Sequence, residues 1–106
     1  MVFCRVRFQE LDAEWDEDNI EHIALHDVHP EEVEEIVYED CHPAWIVRGR
    51  RREIKETRWI VFGQTCAGRY LLAVITPYPR RGVWRAVTAF DMEPQTRRRY
   101  RQWRGH

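Results

Sequence analysis

No uninterrupted apolar run in the 106 residues approaches the ~18 a membrane-spanning helix needs, and 33% of the residues are charged. A helical membrane span is therefore not expected. No basic-then-apolar segment opens the chain, so no cleaved leader is expected either. Cysteine is scarce and odd in number: Cys4, Cys41 and Cys66 are three, with no Cys-x-x-Cys spacing. That pattern argues against a disulfide framework or a zinc knuckle and makes a reducing cytoplasm the expected compartment. The motifs GxSxG, GxGxxG and HExxH and the phosphate loop are all missing. Nothing points to a nucleotide, and no cofactor is expected.

Another absence is local. Residues 10 to 40 hold fourteen Asp or Glu and no Lys or Arg, whereas residues 44 to 106 hold four acids and fifteen Lys or Arg. The formal net charge of −1 hides this split. A polyanion partner such as nucleic acid, meeting the basic half, is one consequence; internal neutralisation of basic strands by acidic helices is the other.

What is present reads as one α+β domain, since this length supports one hydrophobic core. Val2 to Phe8 alternates as a first strand. Asp16 is placed to cap a helix running to about His26, with Ile20, Ile23 and Ala24 as its core stripe and Asp27 as its end. Pro30 opens a second helix that buries Val33, Ile36 and Val37 and turns Glu31, Glu32, Glu34 and Glu35 to water. From Ala44 the pattern becomes β. Strands are expected at Ala44–Arg48, Thr57–Gln64, Arg69–Thr76 (the most apolar, buried on both faces) and Val83–Phe90, with a basic turn at Gly49–Arg52. Pro94 then starts a helix bearing Arg97, Arg98, Arg99, Arg101 and Arg104, with Met92, Thr96, Tyr100 and Trp103 as its buried stripe. The order β-α-α-β-β-β-β-α with short loops predicts an antiparallel sheet of four to five strands, an N-terminal helical hairpin and a C-terminal helix.

Several groups could do chemistry. His22 and His26 stand at i and i+4 with His29 beyond, a spacing that could meet zinc but lacks further recognisable ligands, so no metal is expected. Proton transfer beside a phosphate suits two imidazoles better. Arginines suit bidentate phosphate contact and stabilisation of a phosphorane. Arg58, Arg69 and Arg85, lying in strands, stand out from the turn arginines; with Arg48 and Lys55 they are expected to bound a basic groove. Solvated arginines, or ion pairs with the acidic hairpin, are the alternative. Tyr100 and Trp103 could stack on a base or simply fill the core. A DNA-binding helix-turn-helix is disfavoured, because both hairpin helices are acidic.

The chain also resembles a known family. Trp15-Asp16-Glu17 with Asn19, His22-Ile23, His26, Val28 and Pro30 to Glu35 is similar to the opening of BrnT-like toxins of type II toxin–antitoxin systems. Gly63-Gln64-Thr65 through Gly68-Arg69-Tyr70-Leu71-Leu72 resembles that family's hairpin. Arg85 to Ala89, Asp91-Met92, Arg97-Arg98 and Tyr100 resemble its closing strand and helix. The resemblance implies a RelE-like fold and metal-independent cleavage of RNA, through an activated ribose 2′-hydroxyl, that arrests translation. It implies a BrnA-like ribbon-helix-helix antitoxin as protein partner, and the sequence leaves a homodimer open. Carried over, the site residues are His22, His26, Arg69, Arg85 and Tyr100, with RNA contacts from Arg48, Lys55, Arg58 and Arg97. The family's closing Ser-Ala-Arg is Thr88-Ala89-Phe90 here, one arginine short. That loss favours an inactive, binding-only relative as the alternative.

Overall fold

The computed structural model describes residues 7–51, 56–77 and 80–105. Its elements are a 3-10 turn (Phe8–Glu10), β1 (Asp12–Glu14), α1 (Glu17–Ala24), α2 (Pro30–Val37), β2 (Trp45–Arg51), β3 (Glu56–Gln64), β4 (Tyr70–Pro77), β5 (Val83–Asp91) and α3 (Pro94–Arg104). The α+β class is as expected. The five strands form one sheet in the order β1-β5-β4-β3-β2.

The sheet is mixed rather than antiparallel throughout. β1 runs parallel to β5, matching Asp12, Ala13 and Glu14 to Val83, Trp84 and Arg85, and the Asp12 N–H donates to Gly82 O at 2.9 Å. The strand expected over Val2–Phe8 lies mostly outside the described residues, and Phe8 opens the 3-10 turn instead. A three-residue strand has no periodicity to read; its pairing is set by the neighbour it meets.

Helix α1 begins as its capping residues dictate. The Asp16 carboxylate accepts from Asn19 N–H at 3.2 Å, and the Asn19 side chain accepts from Asp16 N–H at 2.8 Å. The helix ends early, with Asp27 in the left-handed region at φ 58°. Only Ile23 of the expected stripe is buried; Ile20 and Ala24 are exposed. The reason is position. β1 covers only Val83–Arg85 of β5, and α1 packs against β5 just beyond, where the Asn19 amide donates to Glu14 O at 2.9 Å and Ala86 O at 3.4 Å. A helix lying there buries a narrower stripe than one lying flat on a sheet face.

Helix α2 does lie flat. Val33, Ile36 and Val37 are fully buried, and a Cβ placed on Gly63 of β3 would sit 2.6 Å from the Ile36 Cβ. Glycine is what lets the helix approach the strand so closely. The glutamates of α2 do not all face water: Glu34 accepts from the Trp15 indole at 2.7 Å and Glu35 from Cys66 N–H at 2.9 Å. The buried Trp84 indole donates to the Tyr38 hydroxyl at 3.0 Å, which donates to Leu11 O at 2.8 Å, so this polar chain through the core is satisfied.

β4 is central, but only Leu71, Ala73 and Ile75 are buried; Leu72 and Val74, on the other face, are half-covered. On that second face, α3 packs at one end. Its Tyr100 is buried edge-on to Tyr70, with ring centroids 6.1 Å apart. Trp103, expected in the core, is 44% exposed and stacks on Trp45 at 5.9 Å. β2 continues to Arg51, so Arg50 and Arg51 belong to a strand and not to a turn. Lys55, expected at the RNA groove, lies outside the described residues.

Cys41 and Cys66 form a disulfide with Cα atoms 5.2 Å apart, correcting the expectation of none. The α2–β2 loop and the β3–β4 hairpin come together at this point, a juxtaposition that cysteine counting cannot reveal.

Candidate nucleic-acid interface

The β3–β4 hairpin aims Arg69. Thr65 N–H donates to Arg69 O at 2.8 Å, Gly68 N–H to Thr65 O at 2.9 Å, and Arg69 N–H to the Thr65 hydroxyl at 3.0 Å. The turn closes through Gly68 at φ 98°, which suits glycine. The Arg69 guanidinium then enters a cage of acceptors. Nε and Nη2 grip Asp91 at 2.7 and 3.1 Å. Nη1 donates to Asp27 O at 2.6 Å and to the Glu32 carboxylate at 3.0 Å, and Nη2 reaches His26 O at 3.3 Å. An arginine has five N–H donors, and these contacts use all of them. The Asp91 and Glu32 carboxylates hold the guanidinium pKa above its ordinary value, and the Arg69 fork holds Asp91 below its own. Arg69 thus ties the end of α1, the first turn of α2 and the end of β5 together, with no donor left for a phosphate.

Arg85 is held too, at the far end of β5. Its Nη1 and Nη2 grip Asp16 at 2.7 and 3.0 Å, and Nη1 lies 3.4 Å from Glu14. Arg85, with the Asn19 N–H, draws the Asp16 pKa down to about 2. Glu14 is lowered as well, first by Arg80 and then by Arg85. Six strand residues separate Arg85 from Asp91, the anchor of Arg69, which is roughly 20 Å of β-strand. The two arginines therefore cannot act on one phosphate.

The histidines lie near Arg69. His22 and His26 are exposed on α1 with ring centroids 6.2 Å apart, and His26 meets the Phe90 ring at 5.6 Å. Among the described residues, no group of three His, Cys, Asp or Glu side chains is arranged to hold a metal. Tyr100 is withdrawn from this neighbourhood: its hydroxyl donates to Pro43 O at 2.5 Å, and burial raises its pKa. His22, His26 and Arg69 thus come together, while Arg85 and Tyr100 stand apart.

The expected groove does not form as a unit. Arg48 lies opposite Trp59 and Arg58 opposite Gly49, so the two side chains emerge on opposite faces of the sheet. A different basic surface takes its place. Tyr70, Pro94, Arg97, Arg98, Arg101 and Gln102 line an open cleft of about 520 Å³ beside α3. The Arg97 guanidinium lies 5.6 Å from the centre of the Tyr70 ring. Among the described residues, Arg98, Arg99 and Arg101 make no ion pair, and all three are exposed.

Compared with known proteins, the chain matches no family model and no curated protein. Its chemistry must be read from its own side chains. Sequence reasoning singled out Arg97 but passed over Arg98 and Arg101 as binding groups. The signal was present: five arginines in eight residues, with no acid after Glu93.

No helix among the described residues is long and apolar enough to cross a membrane.

Proposed function

We propose that this chain is an RNA-binding domain of the BrnT-like toxin kind, with a RelE-like arrangement and a ribbon-helix-helix antitoxin as its protein partner in the cytoplasm. The observation that carries this reading is the arginine face of α3, unmatched by acids among the described residues while the sheet arginines 69, 80 and 85 are all paired. Accessible guanidinium groups beside aromatic rings suit the phosphates and bases of single-stranded RNA. The element order and the resemblance at the helical hairpin support the family part of the reading.

The geometry favours binding over cleavage, because Arg69 has no donor to offer and Arg85 is remote. Cleavage is the second reading, favoured by the exposed His22–His26 pair, which could pass a proton from a ribose 2′-hydroxyl to a leaving oxygen. Both are tested by titrating labelled single-stranded RNA with the protein and then incubating the complex with and without chelator. Binding without cleavage is the expected result. Chelator-resistant cleavage to 2′,3′-cyclic phosphate ends, lost in His26→Ala, would establish the ribonuclease instead. An RNA that does not bind at all would end both readings.

A further inference from the structure

The pattern of charge on α3 is unfavourable to the helix that carries it. Arg97 and Arg101 stand at i, i+4, and Arg98 and Arg101 at i, i+3, so like charges face each other one turn apart. Arg97 and Arg98 also lie in the half nearer the positive end of the helix dipole, where cations gain nothing. The first turn has no acid within it, and Glu93 stands only at the N-cap. No carboxylate among the described residues answers Arg98 or Arg101. An anion in the cleft would relieve all of this repulsion together. Its volume, about 520 Å³, lies within the roughly 300–1,000 Å³ typical of small-molecule sites, enough for a nucleotide unit.

The cleft has two kinds of wall. Arg98 and Arg101 offer accessible forks for phosphate oxygens, and Gln102 adds an amide able to donate and to accept. Arg97 is different. It is backed by the Tyr70 ring, whose own position is fixed by pairing with Gln64 in the sheet and by edge contact with Tyr100. A guanidinium supported by an aromatic ring is a platform on which an unpaired base can stack.

We propose that the cleft beside α3 is the subsite for one nucleotide of a single-stranded RNA, its phosphate held by Arg98 and Arg101 and its base stacked on Arg97 over Tyr70. This deepens the RNA-binding reading and rests on it. The shared chemistry is a phosphate group, which a free anion also carries, so the test must separate the strand from the ion.

The test is fluorescence anisotropy of the full chain with a labelled single-stranded RNA 12-mer over a range of salt. Three variants are compared with the parent: Arg98→Ala with Arg101→Ala, Arg97→Lys, and Arg80→Ala with Arg81→Ala as a charge-matched control, each first checked for unchanged unfolding. Loss of Arg98 and Arg101 is expected to weaken binding by about tenfold or more. It should also flatten the slope of log affinity against log salt by about 1.4, or about 0.7 for each lost single-strand phosphate contact. Arg97→Lys keeps the charge but should erase the preference for single-stranded over duplex RNA. The control should retain the parent's slope more nearly. A parent that binds RNA while the Arg98/Arg101 pair can be removed without effect overturns the subsite and leaves the RNA reading standing. A parent that binds no RNA overturns that reading itself. If inorganic phosphate displaces the 12-mer as well as a short unlabelled oligonucleotide does, the cleft is a free-anion site and the nucleotide assignment fails.

Discussion

Arg69 and Arg98 lie in one small domain under opposite conditions. Arg69 directs every N–H donor into the protein, toward Asp91, Glu32 and two backbone carbonyls. Arg98, on the outer surface of α3, meets no acid among the described residues. The acidic helical hairpin explains the difference. It packs on β5 and β3 and delivers its carboxylates to the sheet, neutralising the arginines there; α3 sits on the other face, out of its reach. Internal neutralisation and an available basic surface therefore coexist, each on its own side. The arginines that look most catalytic by position are the ones most occupied.

The covalent tie beside the Arg69 hairpin should show the largest effect. Reducing Cys41–Cys66, which closes a separation of 25 residues, should lower unfolding stability by about 3.5 kcal/mol on the chain-entropy estimate. Urea midpoints with and without reductant measure this, and unchanged midpoints would mean that the two loops are held by other contacts. Arg69→Ala comes next, since it strands Asp91 and Glu32 and uncaps two carbonyls. We expect a loss of about 2–3 kcal/mol, with RNA affinity barely altered. Arg69→Lys should recover only part of it, because one ammonium cannot reproduce the fork. A variant that folds as well as the parent but loses RNA would reverse the roles assigned to the two sets.

Acid should act on the paired set alone. The carboxyl groups of Asp16, Asp91 and Glu14 all have lowered pKa values in the folded chain. Their contribution to stability is complete above the ordinary carboxylate range. It is lost as pH falls through the folded values, which for Asp16 means from near 3.8 toward about 2. Unfolding midpoints measured from pH 5 to pH 2 should decline, and Asp16→Asn, which keeps a capping oxygen, should decline less over the lower part. Smallest of all, Arg98→Ala should leave stability unchanged or raise it by about 0.2–0.5 kcal/mol through relief of like charge. A clear loss on that substitution would reveal an internal partner for Arg98 and dissolve the contrast.

Much of the fold was legible because it is written in local chemistry. Pro30 with Val33, Ile36 and Val37 specifies α2, and Asp16 with Asn19 specifies the start of α1. What could not be read depends on partners distant in the chain. Arg69 meets residues 22, 37 and 42 positions away, and Arg85 meets one 69 positions away. Sequence shows that an arginine lies in a strand, but not which carboxylate will reach it. The parallel pairing of β1 was hidden for the same reason, as was the disulfide. Ile20 misled because its spacing fits a helix on a sheet face, whereas α1 packs on β5 just past β1.

The sheet's outer margins have a further consequence. At one margin β1 is only three residues long, and α1 packs on β5 beyond it. At the other, β2 runs for seven residues with no strand outside it among the described residues. A long unpaired strand is a template on which a second chain can add itself and start a fibre. β2 includes Arg48, Arg50 and Arg51, and two copies meeting along it would bring like charges together. The basic cluster that first invited a role in gripping RNA thus has another use: it keeps neighbouring molecules from joining edge to edge.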